Sequence, residues 1–451
     1  MRTVVEGGYV VAVDAAGSEH DGGHVVLEEE RIVAVGPGPA PAGWREDAEI
    51  VDARGALVTP GLVNTHHHLY QWLTRGHAQD AILFDWLTAL YPLWSRIDAD
   101  LTGVAAAGAM AVLARSGCTT VGDHHYVFPR GSGDIVGAIV DAASRIGVRL
   151  HATRGSMDLG SSQGGLPPDS AVETTDAALA ATQAAVERYH DASPASMVRV
   201  AVAPCSPFSV TSDLLRESAA QARALGVRMH THASETVEEH DFCLERFGRT
   251  PTQYLEDLGW LGDDVWMAHA VHLDPDEIVR YAATGTGVAH CPSSNARLAA
   301  GIAPVHDLLR AGVPVGLGVD GSASNESGQL GIEIREAVLV NRLRTGSDSF
   351  SVRDGLRIAT MGGARVLGRA SEIGSLEPGK LADVAVWRVD GVEHAGILDH
   401  VAALGLGALP PLQRLFVQGR AVVADGVLTT AEEPVLAEQV AAASRELASR
   451  L

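Results

Sequence analysis

Between residue 58 and about residue 325, hydrophobic and polar positions fall into one repeating unit. A short apolar, β-branched run is followed by a longer Ala- and Leu-rich stretch of helical period. The apolar runs are "ALVTPGLVNTHHH", "GCTTVGDHHY", "GVRLHATRGSM", "MVRVAVAPCSP", "GVRMHTHASE", "VWMAHAVHL", "TGVAHCPSSN" and "VPVGLGVDGSASN". They predict eight strands. Segments such as "ADLTGVAAAGAMAVLARSG", "DAALAATQAAVERYH" and "SDLLRESAAQARALG" predict the intervening helices, several of which end in a glycine just before the next strand. Strands alternating with helices imply parallel pairing. Eight such units imply an α/β fold of the closed (β/α)8 TIM-like barrel type. The polar residues gather at the C-terminal ends of these runs, which in a barrel meet at a single mouth.

The flanks follow another rhythm. Residues 1–57 hold "VVLEEERIVAVGP" and "AEIVDARGALVTPG", and residues 373–451 hold "GSLEPGKLADVAVWRVDG" and "LQRLFVQGRAVVADGVL", all short alternating strands with turn glycines. The two ends are expected to form one small β-sandwich beside a barrel of residues 58–372, with residues 430–451 as a closing amphipathic helix.

Composition narrows the class. The chain has 451 residues and no apolar run near the roughly 20 that a membrane helix needs. Its first residues alternate like a strand and lack the features of a signal peptide. The four cysteines are far apart with no C-x-x-C pair, which fits a reduced, cytoplasmic setting. A net charge of −22 disfavours nucleic acid and anionic membranes as partners and leaves a small substrate.

The predicted strand ends carry the chemistry. The first supplies His66 and His68, which share a face if that run is a strand, while His67 points away. The fifth supplies His230, His232 and Glu235, the sixth His269 and His272, and the eighth Asp320. Imidazole nitrogens and a carboxylate suit zinc and similar ions, so His66, His68, His232 and Asp320 are candidate ligands of one divalent metal. Glu235 is placed to move protons and His269 to polarise the reacting oxygen. His230 reads as a deeper residue or a partner of a ligand. His124 and His125 are open between lining the site and packing. His190, His240, His306, His394 and His400 lie off the strand ends and are expected at the surface.

The H-x-H of "NTHHHL", the H-x-x-E of "HASE", the His of "AHAVHL", the Asp of "GVDGSASN" and the downstream "GSLEPGKLADVAVW" together resemble the amidohydrolase superfamily along nearly the whole chain. The resemblance is to its mononuclear-metal deaminase and triazine-hydrolase branch. It implies that His66, His68, His232 and Asp320 hold the metal, zinc in the first instance with iron as the alternative. It implies catalytic roles for Glu235, His269 and Asp320, and a homodimer. No lysine ends the fourth strand, "AVAPCSP", which disfavours the binuclear members. The loops "NTHHHLYQWLTR", "FDWLTALYPLW", "GDHHYVFP", "RGSMDLGSSQGGLPPDS" and "HCPSSNARLAAG" resemble those of the 8-oxoguanine deaminases, and Cys205 in "APCSP" speaks against a nucleoside. On that resemblance the expected reaction is deamination of a purine-like heterocycle, 8-oxoguanine to urate and ammonia. Gln71 and Asn295 are then expected substrate contacts, while Arg154 either meets a substrate carbonyl or makes an ordinary ion pair, and Trp94 either stacks on the ring or packs in the core. The alternatives are hydrolysis of an s-triazine, or deamination of guanine, isoxanthopterin or another heterocycle.

Overall fold

A computed structural model describes residues 2–451. Eight parallel strands, Leu62–Asn64, Cys118–Gly122, Arg149–Ser156, Val198–Pro204, Met229–Ala233, Val265–His269, Gly287–His290 and Val315–Leu317, run in chain order around a barrel that closes where Leu317 pairs with Asn64. Nearly all their residues are buried, as expected of strands covered on both faces. The helices between them start and stop on local signals. Asp134 and Thr211 cap the helices Ile135–Ile146 and Ser212–Leu225 by accepting backbone N–H bonds, and Gly147 (φ +85) and Gly226 (φ +68) end them in the left-handed region.

The first apolar run differs from its expected form, because it serves two sheets. Ala56–Pro60 belongs to the sheet made by the chain ends, and only Leu62–Asn64 enters the barrel. Gly61 is the hinge between them: a Cβ there would lie 2.2 Å from Thr119 Cγ2. The passage into the barrel therefore comes at Gly61, slightly later than the 57/58 boundary read from the sequence.

The chain ends form one nine-stranded sheet. Its order is 427–428, 420–424, 412–417, 384–388, 56–60, 2–11, 19–28 and 31–36, with 49–52 also paired to 2–11. An isolated bridge between Arg31 and Leu381 brings its far edge round over a core that includes Val5, Val25, Ile32, Val58, Val386 and Phe416, completing the sandwich built from both termini. The closing helix, Glu433–Ser449, returns to the barrel and lies along the helix Ala99–Arg115, with Ser444 Oγ donating to the Leu73 carbonyl at 2.8 Å. Among the described residues no helix is long and apolar enough to cross a membrane.

Barrel and sandwich are joined by an ion pair between Arg149 and Asp383, both buried, with Asp383 Oδ1 also accepting the Gln418 N–H at 2.9 Å. Removing one partner of such a pair leaves a buried charge alone. Asp383→Ala is expected to cost about 3–5 kcal/mol in denaturant unfolding, and replacing both residues by apolar ones of similar volume should recover most of that loss.

Candidate active site

The chain leaves the first barrel strand and runs through Thr65 and His66 in irregular backbone, so the H-x-H pair does not sit on one barrel strand: His68 falls in a separate two-residue strand, His67–His68. Its geometry is set by a neighbour instead. The Asp320 N–H donates to the His66 carbonyl at 3.1 Å, and Asp320–Gly321 forms a two-residue parallel ladder with His67–His68. Asp320 sits at φ +63, and Ser234, His269 and Ala270 also hold positive φ. Non-glycine residues in that region are strained and collect at functional sites. His67 is fully buried with neither ring nitrogen bonded, and burial pushes its pKa down to about 3. It packs, and takes no part in the cluster.

The tautomers follow from the outer partners. His68 Nδ1 donates to the His124 carbonyl and His232 Nδ1 to the Cys205 carbonyl, each at 2.6 Å. His230 Nδ1 donates to the Trp266 carbonyl at 2.8 Å, so its Nε2 accepts from His66 Nδ1 at 2.7 Å. Every Nε2 of His66, His68 and His232 is therefore a lone-pair acceptor, and all three face one point. His66 Nε2 and His68 Nε2 lie 3.2 and 3.3 Å from Asp320 Oδ1, and His68 Nε2 lies 3.1 Å from His232 Nε2. Acceptors so close repel one another unless a cation stands among them. Burial keeps His66 and His232 neutral, the ligand-competent form, with His232 down to about 3. The donor set thus fits a divalent metal of the kind imidazole and carboxylate favour. Two overlapping groups of four, His66 with His68, His124 and His232, and His66 with His232, His269 and Asp320, have ligand atoms within 4.8 Å of one another. His124 thereby joins the cluster rather than merely packing beside it, although its Nε2 is 3.0 Å from the Ala203 carbonyl. His125 does not join, since its Nε2 bonds the Val127 carbonyl.

Two carboxylates of opposite character meet here. Burial, then the nearby Asp320, push the Glu235 carboxyl well above the usual range, which keeps it protonated. Burial acts the same way on Asp320, but the imidazoles of His66 and His68 against its Oδ1 outweigh it and hold that carboxyl well below its usual range. Ser294 Oγ also donates to Asp320 Oδ2 at 2.5 Å. His269 stands between the two, with Nε2 3.6 Å from Glu235 Oε2 and 3.9 Å from Asp320 Oδ2.

Above this floor lies a narrow pocket. Leu83, Trp86, Leu87 and Tyr91, one face of the helix Leu83–Trp94, form its roof, and Tyr126, Cys205, Phe208 and Leu298 its walls. Gln71 lines it with both amide atoms buried and unpartnered. The other three candidate substrate contacts are engaged elsewhere. Trp94 ends the same helix, about two turns beyond Trp86, and is wholly buried, its Nε1 donating to Thr74 Oγ1 at 3.1 Å; Trp86 faces the pocket instead. Arg154 points out of the barrel, pairs with Glu173 at 2.8 Å and covers the Phe128 ring. Asn295 gives its Oδ1 to His269 Nδ1 at 2.9 Å, so it orients that ring. His394, expected at the surface, is buried with Nε2 on the Ala408 carbonyl.

The amidohydrolase family model matches residues 57–422. The 8-oxoguanine deaminase of Pseudomonas aeruginosa is 44% identical over 421 residues, covering 93% of each chain. An isoxanthopterin deaminase from an unknown prokaryotic organism is 39% identical over 425 residues, 89% of this chain and 88% of that one. Among solved structures, the zinc-complexed atrazine chlorohydrolase of Arthrobacter aurescens TC1 superposes with a TM-score of 0.91 at 32% identity, covering 98% of this chain and 100% of its own.

Proposed function

This chain belongs to the amidohydrolase family of enzymes, here one that hydrolyses carbon–nitrogen bonds, and we propose that it deaminates 8-oxoguanine to urate and ammonia with zinc as its resident metal. One observation carries the hydrolytic reading: the Nε2 atoms of His66, His68 and His232 converge on Asp320, with Glu235 and His269 3.6 Å apart beside them. The choice of heterocycle is supported by the 44% identity to an 8-oxoguanine deaminase and by the roofed pocket, whose aromatic walls suit a flat, unsubstituted ring system. With it go a homodimer, which the resemblance implies, and a reduced cytoplasmic setting, which suits four separated cysteines.

In this reading His66, His68, His232 and Asp320 hold the ion. When bound, it supplies positive charge that makes water acidic enough to attack at neutral pH. Asp320 takes the proton of the attacking water. Glu235 gives its proton to the ring nitrogen beside the attacked carbon. His269 gives Nδ1–H to Asn295, which turns its Nε2 toward the incoming oxygen so that the ring can polarise it. The amino nitrogen then takes the proton from Asp320 and leaves as ammonia, while the hydroxyl proton of the collapsing adduct passes to Glu235 and restores its carboxyl. Water is consumed, and a C–NH2 carbon becomes a carbonyl carbon. Gln71, with one free donor and one free acceptor, matches the amide edge of an oxidised purine.

The test is ammonia release by zinc-loaded protein given 8-oxoguanine, with guanine, isoxanthopterin and a chlorotriazine in parallel. Urate formed from 8-oxoguanine with about 100-fold preference over guanine is the expected result, the scale of leaving one buried polar group unpaired. Turnover of the triazine alone would move the reading to the triazine hydrolases.

A further inference from the structure

The reaction above leaves one buried acid of the fifth strand loop unused. Glu239 lies on the helix Val237–Phe247, 0% exposed, and no Lys or Arg among the described residues pairs with it. Such a carboxylate is costly to bury and is retained only where something compensates it. Its sequence context, Thr236 followed three residues later by Glu239, is that of a capping box. In this chain Gln253, Glu277 and Asp354 close such boxes by reaching back to the N-cap backbone N–H. Glu239 does otherwise. Thr236 accepts its N–H, but its carboxylate passes the N-cap and reaches further back, Oε2 accepting the Glu235 N–H at 2.7 Å and Oε1 the Ser234 N–H at 3.1 Å.

These two amides belong to the turn that carries the chain from His232 to Glu235, and Ser234 there holds φ +55. The opposite side of the turn is fastened too: the Ser234 carbonyl accepts the N–H groups of Val271 and His272, both at 2.9 Å, just after His269. We propose that Glu239 is a positioning residue, whose carboxylate clamps the Ser234 and Glu235 amides and so sets the direction in which Glu235 presents its proton. The proposal rests on Glu235 as proton donor. It explains why a carboxylate stands here: two N–H groups need two acceptor oxygens, and a Gln amide offers one while turning an NH2 against the other donor.

The test uses zinc-loaded Glu239→Gln, Glu235→Gln and the double variant, with kcat, KM, zinc content and hydrogen exchange of the 231–239 segment. Misplacing a proton donor by a fraction of an ångström lowers turnover steeply, so Glu239→Gln should lose about 10–100-fold in kcat with KM within about threefold. Zinc should stay stoichiometric, and the Ser234 and Glu235 amides should exchange faster. In the Glu235→Gln background the same change should cost less than about twofold, since its route of action is gone. An equal loss in both backgrounds, a loss of zinc, or unchanged exchange overturns the proposal. Wild-type turnover by Glu235→Gln would remove the proton-donor reading itself. Full activity of Glu239→Gln beside an inactive Glu235→Gln would remove only the positioning role.

Discussion

Glu235→Gln is expected to keep the metal and lose turnover, with kcat down about 10²–10⁴-fold, the usual contribution of a positioned general acid. The separation of the two effects follows from geometry. Glu235 stands 3.6 Å from His269 Nε2 but belongs to neither four-residue ligand group, so the amide leaves the cluster intact. What it removes is the proton that burial and Asp320 keep on the carboxyl. Metal content by elemental analysis and kcat under saturating substrate check the two halves separately. A variant that lost its metal would place Glu235 among the ligands and undo the assignment of roles.

His66→Ala should instead abolish metal binding and activity together. Loss of a partner that merely orients a ligand weakens metal affinity by roughly 10–100-fold, and His66 is more than that. Its Nε2 is a buried atom with no hydrogen-bond partner, 3.2 Å from Asp320 Oδ1, while its Nδ1 joins the cluster to His230 and the Trp266 carbonyl. Truncation removes a donor and leaves His230 Nε2 unpaired. His67→Ala is the control: one position away, equally buried, facing elsewhere, it should retain stoichiometric metal and lose only stability. Titration of each apoprotein with zinc distinguishes these outcomes.

Much of the barrel is legible in the sequence, because buried parallel strands appear as short continuous apolar runs and their polar ends have one place to go. Distances across the mouth are not. The single run from Ala56 to Asn64 gives no sign that Gly61 divides it between two sheets; that division depends on Thr119, far along the chain. Trp86 and Trp94 share a helix face, and spacing alone does not say which is nearer the mouth. Arg154 could be read either as a substrate contact or as an ion pair for a related reason: adjacent strand residues face opposite ways, and the side that points inward depends on register. Asn295 and Ser294 lie on the loop expected to touch substrate, yet His269 and Asp320 engage them first. His230 is legible as a partner because the H-T-H spacing places it one strand repeat below His232. Glu239 looks like an ordinary first-turn acid, and only its two hydrogen bonds tell it apart.

The pairing of Ala56–Pro60 with Val384–Arg388 has a consequence for biosynthesis. The barrel strands pair only among themselves and can close once Leu317 reaches Asn64. The N-terminal strands, made first, must wait. At about 5–20 residues per second the ~320 residues between the two partners take roughly 15–65 s to emerge. Throughout that interval Ala56–Pro60 is an open, apolar edge, the kind of strand that recruits other chains. Nascent chains stalled short of residue 384 should therefore be the ones that chaperones hold and that aggregate, while those past residue 417 complete the sheet and escape.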